Sequence, residues 1–169
     1  NGKAAGVVHI ADHHISPGKK MFTWAYSQLA KTWENALTDN DGQYAELMAG
    51  CYSDNQPDLT WIMPGETKTF SQRWFPIHDS GIPTYANENG ALYMGASGLC
   101  LQCVRPFKDA CVCVTDGDRV VLEKTVDLPC YEAVSICPLD KKAGIKVTVK
   151  AQGRTVFCYE VKAPVAREI

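Results

Sequence analysis

From Gly90 to Val161 the sequence is a series of short apolar runs separated by turn residues at nearly regular intervals. This spacing constrains the fold more than any other feature. The runs are Gly90–Met94, Leu99–Arg105, Ala110–Thr115, Arg119–Thr125, Tyr131–Ile136, Ile145–Lys150 and Thr155–Val161. Each has the length of a strand and is bounded by turn chemistry. Asp116-Gly117 and Gln152-Gly153 supply hairpin dipeptides. The pattern predicts a small β-sandwich of immunoglobulin-like size over residues 79–169. The core Trp and paired Cys of antibody domains are not expected there, because all four Trp precede residue 75.

The first part of the chain reads differently. Ala5–Ala11 has the composition of a strand, and Ser16-Pro17-Gly18 that of a turn. Ala25, Leu29, Trp33 and Leu37 form one stripe at helical spacing, which predicts a short helix within Trp24–Leu37. Thr38 to Gly42 ends it with turn residues. A strand is expected over Tyr44–Gly50, placing Glu46 among apolar neighbours, and a long strand over Glu66–Ile77 after the Pro64-Gly65 turn. The change of character near His78–Gly81 predicts a boundary between residues 1–78 and 79–169. The expected fold class is all-β. A chain of 169 residues has room for one large or two small domains. Because it begins at Asn1, it reads as a segment of a larger protein.

Composition narrows the partners. Hydrophobic residues make up 46% of the chain, enough for a packed core. Lys and Arg number 17 against 19 Asp and Glu, with no basic block, so no nucleic-acid partner is expected. No apolar run approaches the ~18–20 residues of a membrane span, and no membrane partner or secretory leader is expected.

Eight Cys are present, seven of them after residue 99. Cys111 and Cys113 would share one face of a strand, which argues against a simple disulfide framework. They read as small buried hydrophobes. Cys100 and Cys103 have zinc-knuckle spacing, but Leu99–Val104 reads as strand with no Gly for the knuckle. His13 and His14, read as strand residues, would point to opposite faces, and His9 is not at a diagnostic distance from them. Asp39-Asn40-Asp41-Gly42 lacks the acidic first and last ligands of a calcium loop and reads as a turn. No metal and no cofactor are expected.

The residues that point to a ligand lie before residue 79. Trp24, Trp33, Trp61 and Trp74 are interleaved with Asn35, Asp39, Asn40, Glu46, Asp54, Asn55 and Asp58. Aromatic faces stack on the C–H side of a pyranose, while Asn, Asp, Glu and indole N–H groups satisfy its hydroxyls. The same residues would equally serve as core aromatics and loop caps. Glu46 stands out, because a carboxylate on an apolar strand costs free energy unless it is paired. It is the candidate general base or hydroxyl acceptor.

Two resemblances sharpen this reading. Glu46 to Asp58, followed by Pro64-Gly65-Glu66-Thr67, resembles the C-terminal end of aldose 1-epimerases. In those galactose-mutarotase-like proteins a late-strand Glu removes the anomeric hydroxyl proton. The resemblance implies that role for Glu46, with a longer spacing from Glu to Pro-Asp. The catalytic His residues of that family lie upstream of the equivalent segment, so His13 and His14 do not take their place.

A more specific resemblance is to an uncharacterised bacterial family whose mutarotase-like region precedes tetratricopeptide repeats. It is carried by His9–Lys20, Phe22-Thr-Trp24, Trp33–Asp39, Asp41-Gly42, Tyr44–Gly50, Asp54–Asp58 and Glu66–Gln72. It implies the C-terminal part of a mutarotase-like supersandwich over residues 1–78, followed by the immunoglobulin-like sandwich. It also implies a carbohydrate partner alongside the remainder of the parent chain. The expected site is Glu46 with Trp24, Trp33, Asn35, Asn55 and Trp61 around the sugar. The competing expectation is a non-enzymatic interaction or scaffold domain whose Trp cluster packs against the rest of the parent.

Overall fold

The structure is a computed structural model and describes residues 5–24, 27–38, 42–54 and 58–163. Among these residues the chain is all-β apart from a single helix. The elements are β1 (Gly6–Ala11), β2 (Gly18–Thr23), α1 (Gln28–Leu37), β3 (Ala45–Gly50), β4 (Gln72–Ile77), β5 (Tyr85–Asn87), β6 (Gly90–Gly95), β7 (Gly98–Cys103), β8 (Phe107–Asp116), β9 (Arg119–Leu128), β10 (Ala133–Cys137), β11 (Ile145–Ala151) and β12 (Arg154–Glu160). The chain divides into two compact units. One joins Asn1–Ile10 to Arg73–Ile169, and the other is Ala11–Gln72. The expected boundary at His78 divides the chain differently, since β1 and nearly all of β4 belong to the first of these units.

That unit is a β-sandwich. One sheet has the order β10-β7-β6-β5 and the other β12-β11-β8-β9, with every neighbouring pair antiparallel. Three strands run in the first sheet, two cross to the second, β10 returns beside β7, and the last pair joins β8. This is the Greek-key order of an immunoglobulin-like sandwich. Between the sheets lie Leu92, Leu99, Leu101, Phe107, Val112, Val114, Val147, Val149 and Phe157, all sealed from solvent. Alternation along β8 and β11 produces this layer, because every second side chain points inward. At the β11–β12 hairpin, Gln152 and Gly153 both have positive φ (52° and 73°). That matches the backbone twist favoured in two-residue hairpin loops.

A further layer explains why β6 is apolar without alternation. Leu92 and Met94 face the sandwich core, while Ala91 and Tyr93 face outward under Phe75 and Ile77 of β4, with Val8 and Ile10 of β1 beside them. β1 and β4 form a separate two-stranded sheet. Gly6 approaches Ile77, and His9 stacks on Trp74 with ring centroids 4.0 Å apart, so these two strands run antiparallel. Buried Gln102 ties the layer down. It accepts from the Tyr93 hydroxyl at 3.1 Å and donates to the Tyr131 carbonyl at 2.9 Å.

All eight Cys are free. Cys103 is buried in the sandwich core, whereas Cys100 packs in the outer cluster. The Cys-x-x-Cys spacing therefore splits the two thiols between opposite faces of β7. Burial pushes the Cys103 thiol up to about 12, with Cys130 adding in the same direction. Burial likewise pushes the Tyr93 phenol up to about 12, with Cys100 adding.

In the Ala11–Gln72 unit, β2 and β3 form an antiparallel ribbon with Gly18 opposite Gly50 and Phe22 opposite Glu46. β2 leaves no periodic signal in the sequence, because five of its six residues are exposed on either face. The strand expected over Glu66–Ile77 is shorter than its pattern suggests and begins only at Gln72. Side chains hold the preceding stretch in place of a ladder. The Glu66 carboxylate accepts from the Met63 amide at 2.7 Å, and Lys68 donates to the Trp61 carbonyl at 2.6 Å. α1 starts later than its apolar stripe, at Ser27, whose hydroxyl accepts from the Ala30 amide at 3.2 Å. Ala25 and the Asp39–Asp41 turn lie outside the described residues. No helix among the described residues is long and apolar enough to cross a membrane.

Candidate functional site

The β2–β3 ribbon and the helix that connects its two strands gather an aromatic and carboxylate cluster. Phe22 and Trp24 are two residues apart on one chain, Tyr44 and Glu46 two apart on the other, and Phe22 is paired with Glu46. Period-two geometry therefore brings all four side chains to one region of the ribbon. Trp24 Nε1 donates to the Tyr44 hydroxyl at 2.7 Å, and that hydroxyl donates to Glu46 Oε1 at 3.3 Å. Phe22 meets Trp24 edge to face, with centroids 5.4 Å apart. From α1, Trp33 lies parallel to Trp24 within 6°, at a centroid distance of 5.9 Å. Trp33 remains half exposed.

This arrangement has a definite chemical capacity. Three polar groups in series polarise one another and fix the Glu46 carboxylate in one orientation. Oε1 is engaged, and Oε2 has no partner among the described residues. An exposed, oriented carboxylate beside an indole face can accept a hydroxyl proton from a ligand stacked on that face. Glu46 itself is exposed. Its apolar neighbours do not desolvate it: its partner Phe22 is 39% exposed and Leu47 is 52% exposed, so the strand carries apolar residues without burying them.

The other expected site residues are dispersed. Asn35 is exposed on α1 and lines a cavity of about 440 Å³ with Lys31, Glu34, Gly42 and Gln43. Trp61 is 78% exposed in the stretch before β4, and the described contacts do not bring it to Glu46. Asn55 lies outside the described residues. Sequence reasoning missed Tyr44, the link between Trp24 and Glu46, although its i, i+2 spacing from Glu46 was a usable signal. It also missed Glu34, the carboxylate that is actually buried (4% exposed), whose Oε1 has no hydrogen-bond partner among the described residues.

His13 and His14 depart from expectation as well. They sit in the turn after β1 rather than on a strand, so their rings do not splay apart. The ring centroids are 3.8 Å apart. His9 is engaged elsewhere, against Trp74.

Residues 1–77 match the family described as Domain of unknown function (DUF5107). The match ends at Ile77, the last residue of β4, and so contains the whole Trp24–Tyr44–Glu46 cluster and both strands of the outer layer. No solved structure matches the chain. The matched span is thus a mainly β segment that carries α1 and leads into a β-sandwich.

Proposed function

We propose that the DUF5107 span is a carbohydrate-binding or carbohydrate-processing module of a larger bacterial protein, and that it is the C-terminal part of a mutarotase-like region. In this reading a pyranose stacks on Trp33 and hands a hydroxyl hydrogen bond to Glu46. Trp24 and Tyr44 hold the carboxylate in place. In the intact parent Glu46 is the group that accepts the proton. The observation that supports this best is the series Trp24 Nε1, Tyr44 hydroxyl, Glu46 Oε1, at 2.7 and 3.3 Å beside a half-exposed stacked indole. A merely packed Trp cluster has no need of an oriented, solvent-facing carboxylate.

The test is isothermal titration of mono- and oligosaccharides into wild type, Glu46→Gln and Trp33→Ala. The reading expects saturable binding of one sugar class, weakened at least about tenfold by either change, as for loss of a charge-assisted hydrogen bond. Equal binding by wild type and Glu46→Gln would remove Glu46 from the site.

A second reading has its own observation. Leu59, Trp61, Ile62 and Met63 are 81%, 78%, 62% and 63% exposed. Four large apolar side chains in five residues are more than solitary surface hydrophobes. As a scaffold element, this stretch would pack on the remainder of the parent chain.

A further inference from the structure

We infer that Asp12, His13 and His14 form a binding site for a divalent transition-metal cation, independent of the sugar reading. The three side chains each offer one ligand atom, and these atoms lie within 4.8 Å of one another. Ligands at about 2.0–2.1 Å around a tetrahedral zinc end roughly 3.3 Å apart, so side-chain rotation alone closes the gap. The donor set is two imidazole nitrogens and one carboxylate oxygen. That set suits Zn2+ or Cu2+ and disfavours Mg2+ and Ca2+, which take all-oxygen shells.

The turn holds these ligands in advance. The amides of Ile15 and Ser16 both donate to the Asp12 carbonyl, at 3.1 and 2.7 Å. The His14 amide donates to Asp12 Oδ1 at 2.9 Å, which orients the carboxylate and leaves Oδ2 for a cation. Such support of a ligating carboxylate is the usual outer-shell device of metal sites. Behind the turn, buried Ser16 receives a hydrogen bond from Gln72 at 3.1 Å, and the Tyr52 amide donates to the Ile15 carbonyl at 2.6 Å. Binding therefore pays little of the ordering entropy that a free His-His peptide would pay. All three ligand residues are exposed, so a cation reaches them directly, and three protein ligands leave a coordination position open.

The experiment follows the imidazole resonances of the four His by NMR while ZnCl2 is titrated into the intact chain, with MgCl2 in parallel. Reading the His signals separates this site from zinc held by the eight Cys. The expected result is a saturable change in the His13 and His14 signals at about one equivalent of zinc, with His9 and His78 unmoved and magnesium without effect. His13→Ala and Asp12→Asn should each weaken the zinc response at least about tenfold. Because these residues are exposed, both variants should keep the wild-type spectrum elsewhere. Unmoved His13 and His14 signals would overturn the inference. So would a zinc response that survives His13→Ala, or one that magnesium reproduces.

Discussion

Tyr44 carries more of the candidate site than any residue the sequence singled out. Its hydroxyl is the only described link between the Trp24 indole and the Glu46 carboxylate. Tyr44→Phe is expected to lower stability by about 0.5–1.5 kcal/mol, the net worth of a hydrogen bond. It should also release the Trp24 indole N–H, visible as a shift of its NMR resonance. An unmoved resonance would mean that the series does not form in solution. Buried acids give a second prediction at this scale. Burial holds the Cys103 thiol and the Tyr93 phenol protonated up to about 12, against ordinary values of 9.0 and 10.0. The unfolded chain loses these protons first, so the stabilisation is complete below those ordinary values and falls as pH rises toward the folded ones. Urea midpoints should therefore decline between about pH 9 and 11, and Cys103→Ala should flatten that decline while lowering the midpoint at neutral pH. Glu46 was legible in the sequence as an unusual residue. Its exposure was not legible, because an apolar strand in a two-stranded ribbon can leave both faces in water.

At the scale of elements, turns decide the sandwich. Gly98 has φ +84°, and a Cβ there would lie 2.3 Å from the Cys137 carbonyl oxygen. Gly117 has φ +58° with open space around it. Both pay the left-handed backbone cost when replaced by Ala, but only Gly98 adds a collision with backbone. Gly98→Ala should cost roughly 1–3 kcal/mol more than Gly117→Ala in denaturant unfolding, the range of a strained backbone site. Similar costs for the two would show that the β7 and β10 backbones do not approach so closely. The strands of the second half were legible because period-two burial and hairpin dipeptides agree there, as in β11 with its buried Ile145, Val147 and Val149. β2 was not, since Lys19, Lys20, Met21 and Phe22 are all exposed and no face imposes a pattern. His13 and His14, read as strand residues, sit instead in the turn that follows β1. Adjacent His residues say nothing of handedness until a carbonyl such as that of Asp12 captures two later amides.

For the whole molecule, the sequence showed a change of character near residue 78 but not that β1 returns to pair with β4. Pairing across so many residues leaves no local trace, because it depends on which distant faces need covering. Here the uncovered outer face of Ala91 and Tyr93 recruits Phe75 and Ile77. Excising Ala11–Gln72 and joining Ile10 to Arg73 by a short Gly-Ser linker is therefore expected to leave the remaining unit folded, with a cooperative thermal transition. A fragment beginning at residue 79 should melt earlier and bind a hydrophobic dye, having exposed Ala91 and Tyr93. Equal stability of the two would contradict the layered account. The proposed sugar site is the Trp33–Glu46 cluster within residues 1–77. The most direct measurement is tryptophan fluorescence of the intact chain titrated with a panel of mono- and oligosaccharides, with Glu46→Gln alongside. A sugar site there predicts a saturable change with one sugar class that Glu46→Gln weakens. A flat response to every sugar, or one identical in the variant, would contradict it and leave the apolar Leu59–Met63 stretch as the surface to pursue.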